Sequence, residues 1–398
     1  MLASLLCCAA VTLSDPMAIY RQALAAREHR DSQRFLELTQ QLNEWAPTNP
    51  ALRFLRAEAL AVSGEKRPAL AELQWLAVHG YHYAFWERGT FASLSGERVI
   101  DTLRASTTRN GQPSGTISRL IRADADLNAE GIDTFDGGWI AGSMTNGDLH
   151  RIDASGATTV AWRETAPSRR ALGVRNDPQR KVVWACSTGP DDDQPHSQLL
   201  RISLQPATVQ RFRMPDSRSL CNDVALLPGG AVAVSDSHRG GVWLLSESGE
   251  WRALVAPGTL GYPNGLTYSA PLQRLIVADL RGLWAMDLAG NIESVANAAG
   301  TFIGGVDGLY AAGNELVAIQ NGLRPHRVVR IRIESQPLRV ARVTVLASNL
   351  PELAEMTTAA VDDGKVTVLS ATAAQGAPDA GSRRTQLVRL VSSGSADD

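Results

Sequence analysis

The chain has 398 residues, with 39 lysines and arginines against 41 aspartates and glutamates and a formal net charge of −2 at pH 7. This balance excludes the strongly basic surface that is typical of nucleic-acid-binding proteins. No apolar run reaches the roughly 18 residues that a bilayer span requires. The sequence therefore predicts no nucleic-acid partner and no membrane span, in a chain long enough for two domains.

Residues 1–15 are predicted as a possible signal segment. The first 13 residues are mostly apolar and include Cys8-Ala9-Ala10, small residues of the kind found at a secretory cleavage site, although no basic stretch precedes them. Two localisations stay open. The protein is periplasmic or secreted if this segment is a signal peptide, and cytoplasmic otherwise.

Residues 16–105 are predicted to form a small tetratricopeptide-like helical arm. Apolar side chains such as Phe35, Leu38 and Leu42 recur with helical spacing. The triplet that starts at Ala23 has a counterpart at Ala57, and this offset of 34 residues is the period of tetratricopeptide helix pairs. Two repeats bury their own faces poorly, so an aromatic cluster is expected to pack the arm onto the following domain or onto a protein partner. The cluster comprises Trp75, Tyr81, Tyr83, Phe85 and Trp86.

Residues 106–124 are predicted as a linker with a possible closing strand. The stretch 107–115 is polar and contains glycine and proline, which are typical of loops. Residues 116–122 then regain apolar positions. We expect this second stretch to supply a strand to the end of the following domain and so to close it from the N-terminal side.

Residues 125–391 repeat one pattern six times, a small residue followed by an apolar alternating run. Each run is bounded by turn-forming residues and is followed by a second apolar strand, which indicates β-structure. The copies are 42 to 51 residues apart, the period of a four-stranded propeller blade. The sequence thus predicts a mainly β protein, a six-bladed β-propeller preceded by the helical arm, with residues 392–398 as a disordered tail. The residues that precede the six small residues are Glu130, Leu172, Asn222, Asn264, Asp307 and Thr358.

Four of these six residues could bind a metal ion. The first strands of propeller blades line the central channel, so equivalent residues of different blades converge although they are far apart in sequence. Glu130, Asn222, Asn264 and Asp307 would supply two carboxylates and two carboxamides, an all-oxygen set that suits one divalent cation, calcium above zinc or copper. The alternative is that Asn-Gly and Asp-Gly pairs serve only as turns at strand starts.

Residues 125–391 resemble the senescence-marker-protein/gluconolactonase family of six-bladed propellers. The resemblance rests on four motifs, Glu130-Gly131, Asn222-Asp223, Pro263-Asn264-Gly265-Leu266 and Asp307-Gly308-Leu309. In that family the matching glutamate, two asparagines and aspartate surround a catalytic divalent cation. The resemblance implies hydrolysis of a lactone or related ester, with Asp307 as general base or nucleophile.

Other polar residues are predicted near the channel mouth. Asp236, His238 and Gln320 are candidates for substrate binding, although Asp236 and Gln320 also occupy positions that commonly form turns. The remaining cysteines, Cys186 and Cys221, lack metal-binding spacing and are expected to be buried and inert, with a disulfide between them as the alternative.

Two functional hypotheses follow. The first is a calcium-dependent hydrolase whose partner is a small-molecule lactone or ester. The second is a non-enzymatic propeller that holds a small ligand or an ion, while the helical arm recruits a protein partner. A third interpretation, a relationship to strictosidine-synthase-like propellers, does not explain the four oxygen ligands.

Overall fold

The computed structural model describes residues 16–125, 127–166, 168–192, 195–297, 301–373 and 383–391. The possible signal segment 1–15 and the predicted tail 392–398 lie outside these residues. The protein is mainly β, a six-bladed propeller with a few N-terminal helices, as predicted. Within the described part of the chain, no helix has both the length and the apolar character needed to cross a membrane.

The N-terminal region consists of helices that pack in chain order. They are α1 (Pro16–Glu28), α2 (Ser32–Trp45), α3 (Pro50–Val62), α4 (Lys66–Val78) and α5 (Ile100–Asn110). Asp31 and Asn49 cap the starts of α2 and α3, because their side-chain oxygens accept hydrogen bonds from first-turn amides at 3.0 Å. Short 3-10 helices between α4 and α5 span Phe85–Glu87 and Gly89–Leu94.

Helix α5 extends five residues into the segment predicted as a linker, and this prediction is wrong for residues 106–110. The polar sequence there is compatible with a helix because Thr108 and Arg109 are exposed to solvent, while Thr107 is buried. Asn110 ties the end of the helix to the preceding turn. Its Nδ2 donates to Ala77 O at 2.8 Å and to Tyr81 O at 3.1 Å.

The described residues after α5 form six antiparallel sheets, which we call blades 1 to 6. Two short strands come first, β1 (Ser114–Gly115) and β2 (Ile117–Arg122). Blades 1 to 3 contain β3 (Ala129–Phe135), β4 (Gly138–Ser143), β5 (Leu149–Ile152), β6 (Thr158–Trp162), β7 (Arg170–Asp177), β8 (Val182–Thr188), β9 (Gln198–Leu204), β10 (Ala207–Arg213), β11 (Cys221–Leu226), β12 (Val232–Asp236), β13 (Gly241–Leu245) and β14 (Trp251–Val255).

Blades 4 to 6 follow the same order and receive the two N-terminal strands. They contain β15 (Leu266–Ser269), β16 (Arg274–Asp279), β17 (Gly282–Met286), β18 (Ile292–Ser294), β19 (Leu309–Ala312), β20 (Glu315–Gln320), β21 (Arg327–Ser335), β22 (Leu338–Ser348), β23 (Glu355–Asp362), β24 (Lys365–Ala373) and β25 (Arg383–Leu390). Strand β1 pairs with β22 at the edge of blade 5. Strand β2 pairs antiparallel with β25 and is the outer strand of blade 6, so both ends of the propeller sequence meet in one sheet.

The hydrophobic core of the propeller lies between blades. Second strands such as β4, β8 and β12 are buried along their whole length, whereas the outer strand β10 is largely exposed. Among the described residues, one apolar cluster fills each interface between neighbouring blades, including the interface between blades 6 and 1. Each blade therefore depends on both neighbours for burial of its apolar faces.

A disulfide joins blades 2 and 3. Cys186 on β8 and Cys221 at the start of β11 are fully buried, as predicted, but they are not inert thiols, because their sulfur atoms are bonded at 2.01 Å. Sequence spacing does not reveal this pairing, since the two strands become neighbours only when the blades pack. The bond fixes the chain immediately before Asn222.

The helical arm packs on the propeller through the predicted aromatic cluster. Tyr81, Tyr83 and Phe85 share one buried cluster with Phe302 and Leu323 of the propeller. The half-buried Trp75 and Trp86 pack against the same cluster. Its partner is therefore the propeller of the same chain.

Candidate metal centre

The six predicted positions form a closed ring at one end of the channel. Each lies within or just before the first strand of its blade, near the start of that strand. On one side, Gly131 lies so close to blade 2 that a Cβ there would stand 2.1 Å from Leu172 O. Gly173 lies as close to blade 3, where a Cβ would stand 2.6 Å from Asn222 O. The small residues of the repeat are therefore required by close approach of neighbouring backbones.

The same contacts continue through blades 4 to 6 and return to blade 1. A Cβ on Gly265 would stand 2.5 Å from Asp307 O, and Gly308 lies against Thr358. The Thr358 hydroxyl then donates to Glu130 O at 2.7 Å. We call Glu130, Leu172, Asn222, Asn264, Asp307 and Thr358 the mouth ring.

The four polar candidates of the mouth ring are partly buried, and Leu172 and Thr358 are buried. Asn264 Nδ2 donates to Asp307 Oδ1 at 3.0 Å. Asn222 Nδ2 donates at 2.8 Å to Ser237 Oγ, which in turn donates to Pro263 O at 2.6 Å. Both carboxamides therefore use their NH₂ groups within the protein.

Three side-chain acceptors of the mouth ring have no donor among the described residues. They are the Oδ1 atoms of Asn222 and Asn264 and the carboxylate of Glu130. Asp307 differs, because Asn321 Nδ2 donates to its Oδ2 at 2.6 Å while Asn264 holds its Oδ1. The ring thus combines one oriented carboxylate with three oxygen acceptors that a ligand could engage.

Burial raises the pKa of both carboxylates of the mouth ring, as it does for the buried Asp133 and Asp223. Burial, with the charge of Asp307, raises the pKa of Glu130 to about 8. Burial also raises the pKa of Asp307 to about 6, although Asn321 and Asn264 oppose the shift. Neither carboxylate forms an ion pair with any described residue. A positive charge supplied at the ring would therefore stabilise the ionised forms of both carboxylates.

The donor set fits a hard divalent cation. Carboxylate and carboxamide oxygens are the ligands that calcium prefers, and no nitrogen or sulfur donor belongs to the ring. No group of three or more histidine, cysteine, aspartate or glutamate side chains placed to hold a metal ion occurs in the described ranges. Any cation at the mouth ring would thus rely on the two asparagine carbonyls beside Glu130 and Asp307.

The three predicted substrate-binding residues lie in two different environments. His238 is half-buried, with its ring centroid 6.3 Å from that of Tyr262. Burial, followed by the charge of Asp307, raises the pKa of Tyr262, which places this tyrosine close to the mouth ring. The position of His238 beside Tyr262 is therefore compatible with the predicted role.

Asp236 and Gln320 are fully buried and are engaged by the protein itself. The Asp236 carboxylate accepts hydrogen bonds from the Ser219 hydroxyl, the Trp243 indole and two backbone amides. Gln320 donates to Phe302 O and Gly304 O and accepts from Arg327. Both side chains stabilise loops beside the channel, and we leave them out of the proposed ligand site.

A second polar layer, absent from the sequence prediction, lies below the mouth ring. Arg175 is buried, and its Nη2 lies 3.3 Å from Asp223 Oδ2 of blade 3 and 3.4 Å from Leu309 O of blade 5. Its guanidinium lies 4.5 Å from the centre of the Tyr310 ring. Tyr310 Oη accepts from Ala359 N of blade 6 at 2.9 Å. We call Asp133, Arg175, Asp223 and Tyr310 the inner layer.

The inner layer carries its own charge compensation. Burial opposes the positive charge of Arg175, but Asp223, Tyr310 and Asp133 outweigh that effect and raise its pKa. Asp133, Arg175 and Tyr310 each follow a mouth-ring position by three residues. The blade-equivalence argument, applied three residues further along, would therefore have found three of the four members of this layer, but not Asp223, which directly follows Asn222.

The helical arm covers part of the same end of the propeller. Asn49 Nδ2 donates to Leu280 O at 2.8 Å, and His82 N donates to Arg324 O at 2.9 Å. Leu280 and Arg324 follow second strands, whose ends lie at the same edge of each blade as the starts of first strands. The arm therefore forms a wall beside the mouth ring at blades 4 and 5.

The sequence matches no protein-family model and no curated protein. Among solved structures, the PQQ-bound aldose sugar dehydrogenase of Streptomyces coelicolor is similar with a TM-score of 0.51 and 16% identity, over 70% of this chain and 99% of that chain. A gluconolactonase of Xanthomonas campestris has a TM-score of 0.45 and 15% identity, over 70% and 100%. Virginiamycin B lyase of Staphylococcus aureus has a TM-score of 0.47 and 12% identity, over 69% and 99%. At these identities the similarity concerns the fold alone, and we draw no conclusion from scores below 0.5.

Proposed function

We propose that the protein is a calcium-dependent hydrolase of a lactone or related ester, with its active site at the mouth ring. One observation carries the proposal. Two carboxylates with raised pKa values share the channel mouth with two asparagine carbonyl oxygens that accept no hydrogen bond from a described residue. No described side chain neutralises the two carboxylates. The motif resemblance to the gluconolactonase family supports the same assignment.

Glu130, Asn222, Asn264 and Asp307 would hold the cation. A bound divalent cation would polarise the carbonyl of the substrate and stabilise the negative charge that develops on its oxygen. Hydrogen bonds within the protein orient the two asparagine side chains for this role. Because Ser237 and Asp307 take the NH₂ groups of the two asparagines, both Oδ1 atoms remain available as ligands.

Asp307 would act on the proton of the attacking water. Because burial raises its pKa, the Asp307 carboxylate accepts a proton more readily than an ordinary aspartate. Asn264 and Asn321 each donate to one of its oxygens and hold the carboxylate in one orientation. A nucleophilic role for Asp307 is the alternative within the same proposal.

The disulfide bears on where the protein would work. Disulfides persist in oxidising compartments and are rare in the cytosol. The Cys186–Cys221 bond joins two fully buried residues beside a proposed ligand. It supports the periplasmic or secreted location that the possible signal segment suggests.

The test is hydrolysis of a lactone and ester panel by the purified protein, with calcium and after chelation. Asp307→Asn keeps the size of the side chain and removes its charge, and Asp363→Asn makes the same change in an exposed turn as a control. We expect calcium-dependent turnover that falls by roughly 10² to 10⁴ in Asp307→Asn and not in the control. Turnover that survives chelation unchanged would contradict the proposal.

Absence of any turnover, with calcium binding retained, would favour the hypothesis of a non-enzymatic binding protein. Recruitment of a protein partner by the arm is a separate prediction within that hypothesis. Its aromatic cluster is occupied by the propeller, so such a partner would have to contact the outer surface of the helices. Capture by wild-type protein, lost after charge reversal on the exposed face of α2, would support it.

A further inference from the structure

A polar pocket of about 600 Å³ lies on blade 2, on the same edge as the mouth ring. Its lining comes from the residues just before β7, the start of β9, the end of β10 and the loop that leads to β11. In an antiparallel blade these points lie at one edge. We call this cavity the blade 2 pocket.

The blade 2 pocket has an excess of positive charge. Three of its lining side chains are arginines, Arg169, Arg211 and Arg213, against a single acid, Asp216. Arg211 is neutralised by Glu164, which it contacts at 2.9 and 2.5 Å. Asp216 is itself paired with two further arginines, Arg218 at 3.0 Å and Arg239 at 3.1 Å. The acids are thus already compensated.

Arg169 and Arg213 remain without a carboxylate partner. The Arg169 guanidinium is half-buried and donates only to neutral oxygens, those of Ser187 and the carbonyl of His196. Burial lowers the pKa of Arg169, Glu164 raises it and Arg211 lowers it again, so Glu164 compensates only in part. Arg213 is exposed and forms no hydrogen bond or ion pair with a described residue.

A buried hydroxyl in the wall of the blade 2 pocket also lacks a partner. Ser197 is 2% exposed, and its Oγ forms no hydrogen bond within the described ranges. Buried polar atoms are normally satisfied, and an unsatisfied one costs roughly 1–3 kcal/mol. Rotation of the Ser197 side chain toward the pocket would let a ligand oxygen satisfy this hydroxyl while it neutralised the neighbouring guanidinium groups.

The blade 2 pocket is within reach of the mouth ring. Arg169 precedes Leu172, the blade 2 member of the ring, by three residues. Extended chain rises about 3.3 Å per residue, so roughly 10 Å of backbone separates Arg169 from the blade 2 member of the ring. One small substrate could therefore place a reactive carbonyl at the ring and a second group in the pocket.

We infer that the blade 2 pocket binds an anionic group, a carboxylate or a phosphate, carried by the lactone or ester that reacts at the mouth ring. This inference rests on the proposed function for the reacting part of the substrate. The charge of Arg213, the neutral contacts of Arg169 and the unpartnered Ser197 hydroxyl together define the specificity. Neutral lactones would also be hydrolysed, but with a higher KM than lactones that carry the anionic group.

The first experiment compares three lactones that share one ring, a neutral compound, its carboxylate derivative and its phosphate ester. We expect the KM of one charged lactone to be lower than that of the neutral compound by roughly tenfold or more, as one charge-assisted contact allows. Arg213→Gln should raise that KM by a similar factor, towards the KM of the neutral compound. Which derivative responds distinguishes carboxylate from phosphate.

Arg332→Gln is the matched control, because it removes another exposed arginine, from blade 5. Ser197→Ala is a second variant that leaves the pocket charge intact and should raise the same KM. Hydrolysis of all three lactones with equal KM, or equal effects of Arg213→Gln and Arg332→Gln, would overturn the inference and leave the proposed hydrolase standing.

A binding measurement separates the two proposals. Titration of the wild-type protein with inorganic phosphate and with acetate, in the presence of chelator, tests the blade 2 pocket without turnover. Binding that is lost in Arg213→Gln and kept in Arg332→Gln supports the anion site even if no lactone is hydrolysed. Absence of binding for both anions, together with equal KM values, rejects the site.

Discussion

The mouth ring and the inner layer occupy successive levels of one channel and differ in how their charges are balanced. In the inner layer, buried Arg175 stands between acids and its charge is compensated within the protein. In the mouth ring, Glu130 and Asp307 have no cationic neighbour among the described residues. The first arrangement is complete without a ligand, whereas the second gains from a positive charge supplied by one.

The presence or absence of a cationic partner therefore distinguishes the inner layer, a structural network, from the mouth ring, the candidate site. Burial raises the pKa of all four acids, but the charge of Arg175 opposes this shift only in Asp133 and Asp223 of the inner layer. Both layers contain aspartates on the first strands of blades, so residue type alone does not distinguish them. Four predictions test the distinction.

The largest expected effect is on stability, from Arg175→Met. Removal of the guanidinium leaves Asp223 buried without its counter-charge, so we expect a loss of about 3–5 kcal/mol in the free energy of unfolding. Denaturant titration measures it. The double variant Arg175→Met/Asp223→Asn should recover part of the loss, and Arg332→Gln should have almost none. A near-zero effect of Arg175→Met on the free energy of unfolding would contradict the view that Arg175 compensates the acids of the inner layer.

The second effect is stabilisation of the mouth ring by calcium. At a free concentration one hundred times its Kd, the ion should stabilise the wild-type protein by about 2.7 kcal/mol, and Asp307→Asn or Glu130→Gln should lose most of this gain. In chelator, Glu130→Gln should be at least as stable as wild type, because burial and Asp307 disfavour the ionised glutamate. Thermal unfolding with calcium and with chelator measures both. Equal calcium shifts in wild type and variants would contradict the site.

A smaller loss of stability is expected from Tyr310→Phe in the inner layer. The variant removes the hydroxyl that accepts from Ala359 N and keeps the aromatic face against Arg175. One unsatisfied buried amide should cost about 1–3 kcal/mol, independently of calcium. Tyr268→Phe, at a tyrosine of blade 4 without a hydrogen bond to a described residue, is the control. A calcium-dependent effect of Tyr310→Phe would show that the two layers are coupled.

The smallest effect is expected from Ser237→Ala, behind the mouth ring. The Asn222 amide loses its acceptor and is free to rotate its oxygen away from the cation position. We expect calcium affinity to fall roughly tenfold, with stability in chelator changed by about 1 kcal/mol. Calorimetric titration of calcium into the variant and into Ser95→Ala, an exposed serine of the arm, measures the difference. Unchanged affinity would remove Ser237 from the proposed mechanism.

Some features of the fold could be predicted because their causes are local. The six repeats are visible because close approach of neighbouring first strands demands a small residue in each blade, as at Gly131 and Gly265. The aromatic cluster of the arm was assigned to packing from its composition, and Tyr81 and Phe85 do pack on the propeller. The sequence predicts a linker from residue 106, although α5 continues to residue 110, because a polar helix face and a polar linker have the same residue types.

The candidate site was only partly accessible from the sequence. The mouth-ring positions follow from the repeat, but Asn321, which holds Asp307, and Ser237, which orients Asn222, follow second strands and carry no repeat signal. A role in substrate binding for Asp236 and Gln320 stays a prediction. Both side chains form hydrogen bonds with partners from other loops, and these contacts cannot be found from the sequence.

The sequence by itself determined the number of blades and the residue types at the channel, since strand periodicity and backbone crowding act on every copy of the repeat. The tertiary structure decided which charges are balanced. Arg175 meets Asp223 and Leu309 across 48 and 134 residues, and Cys186 meets Cys221 across 35. Such pairings depend on the closing of the ring, which brings distant blades to one axis, and so the distinction between a paired and an unpaired acid exists only in the folded propeller.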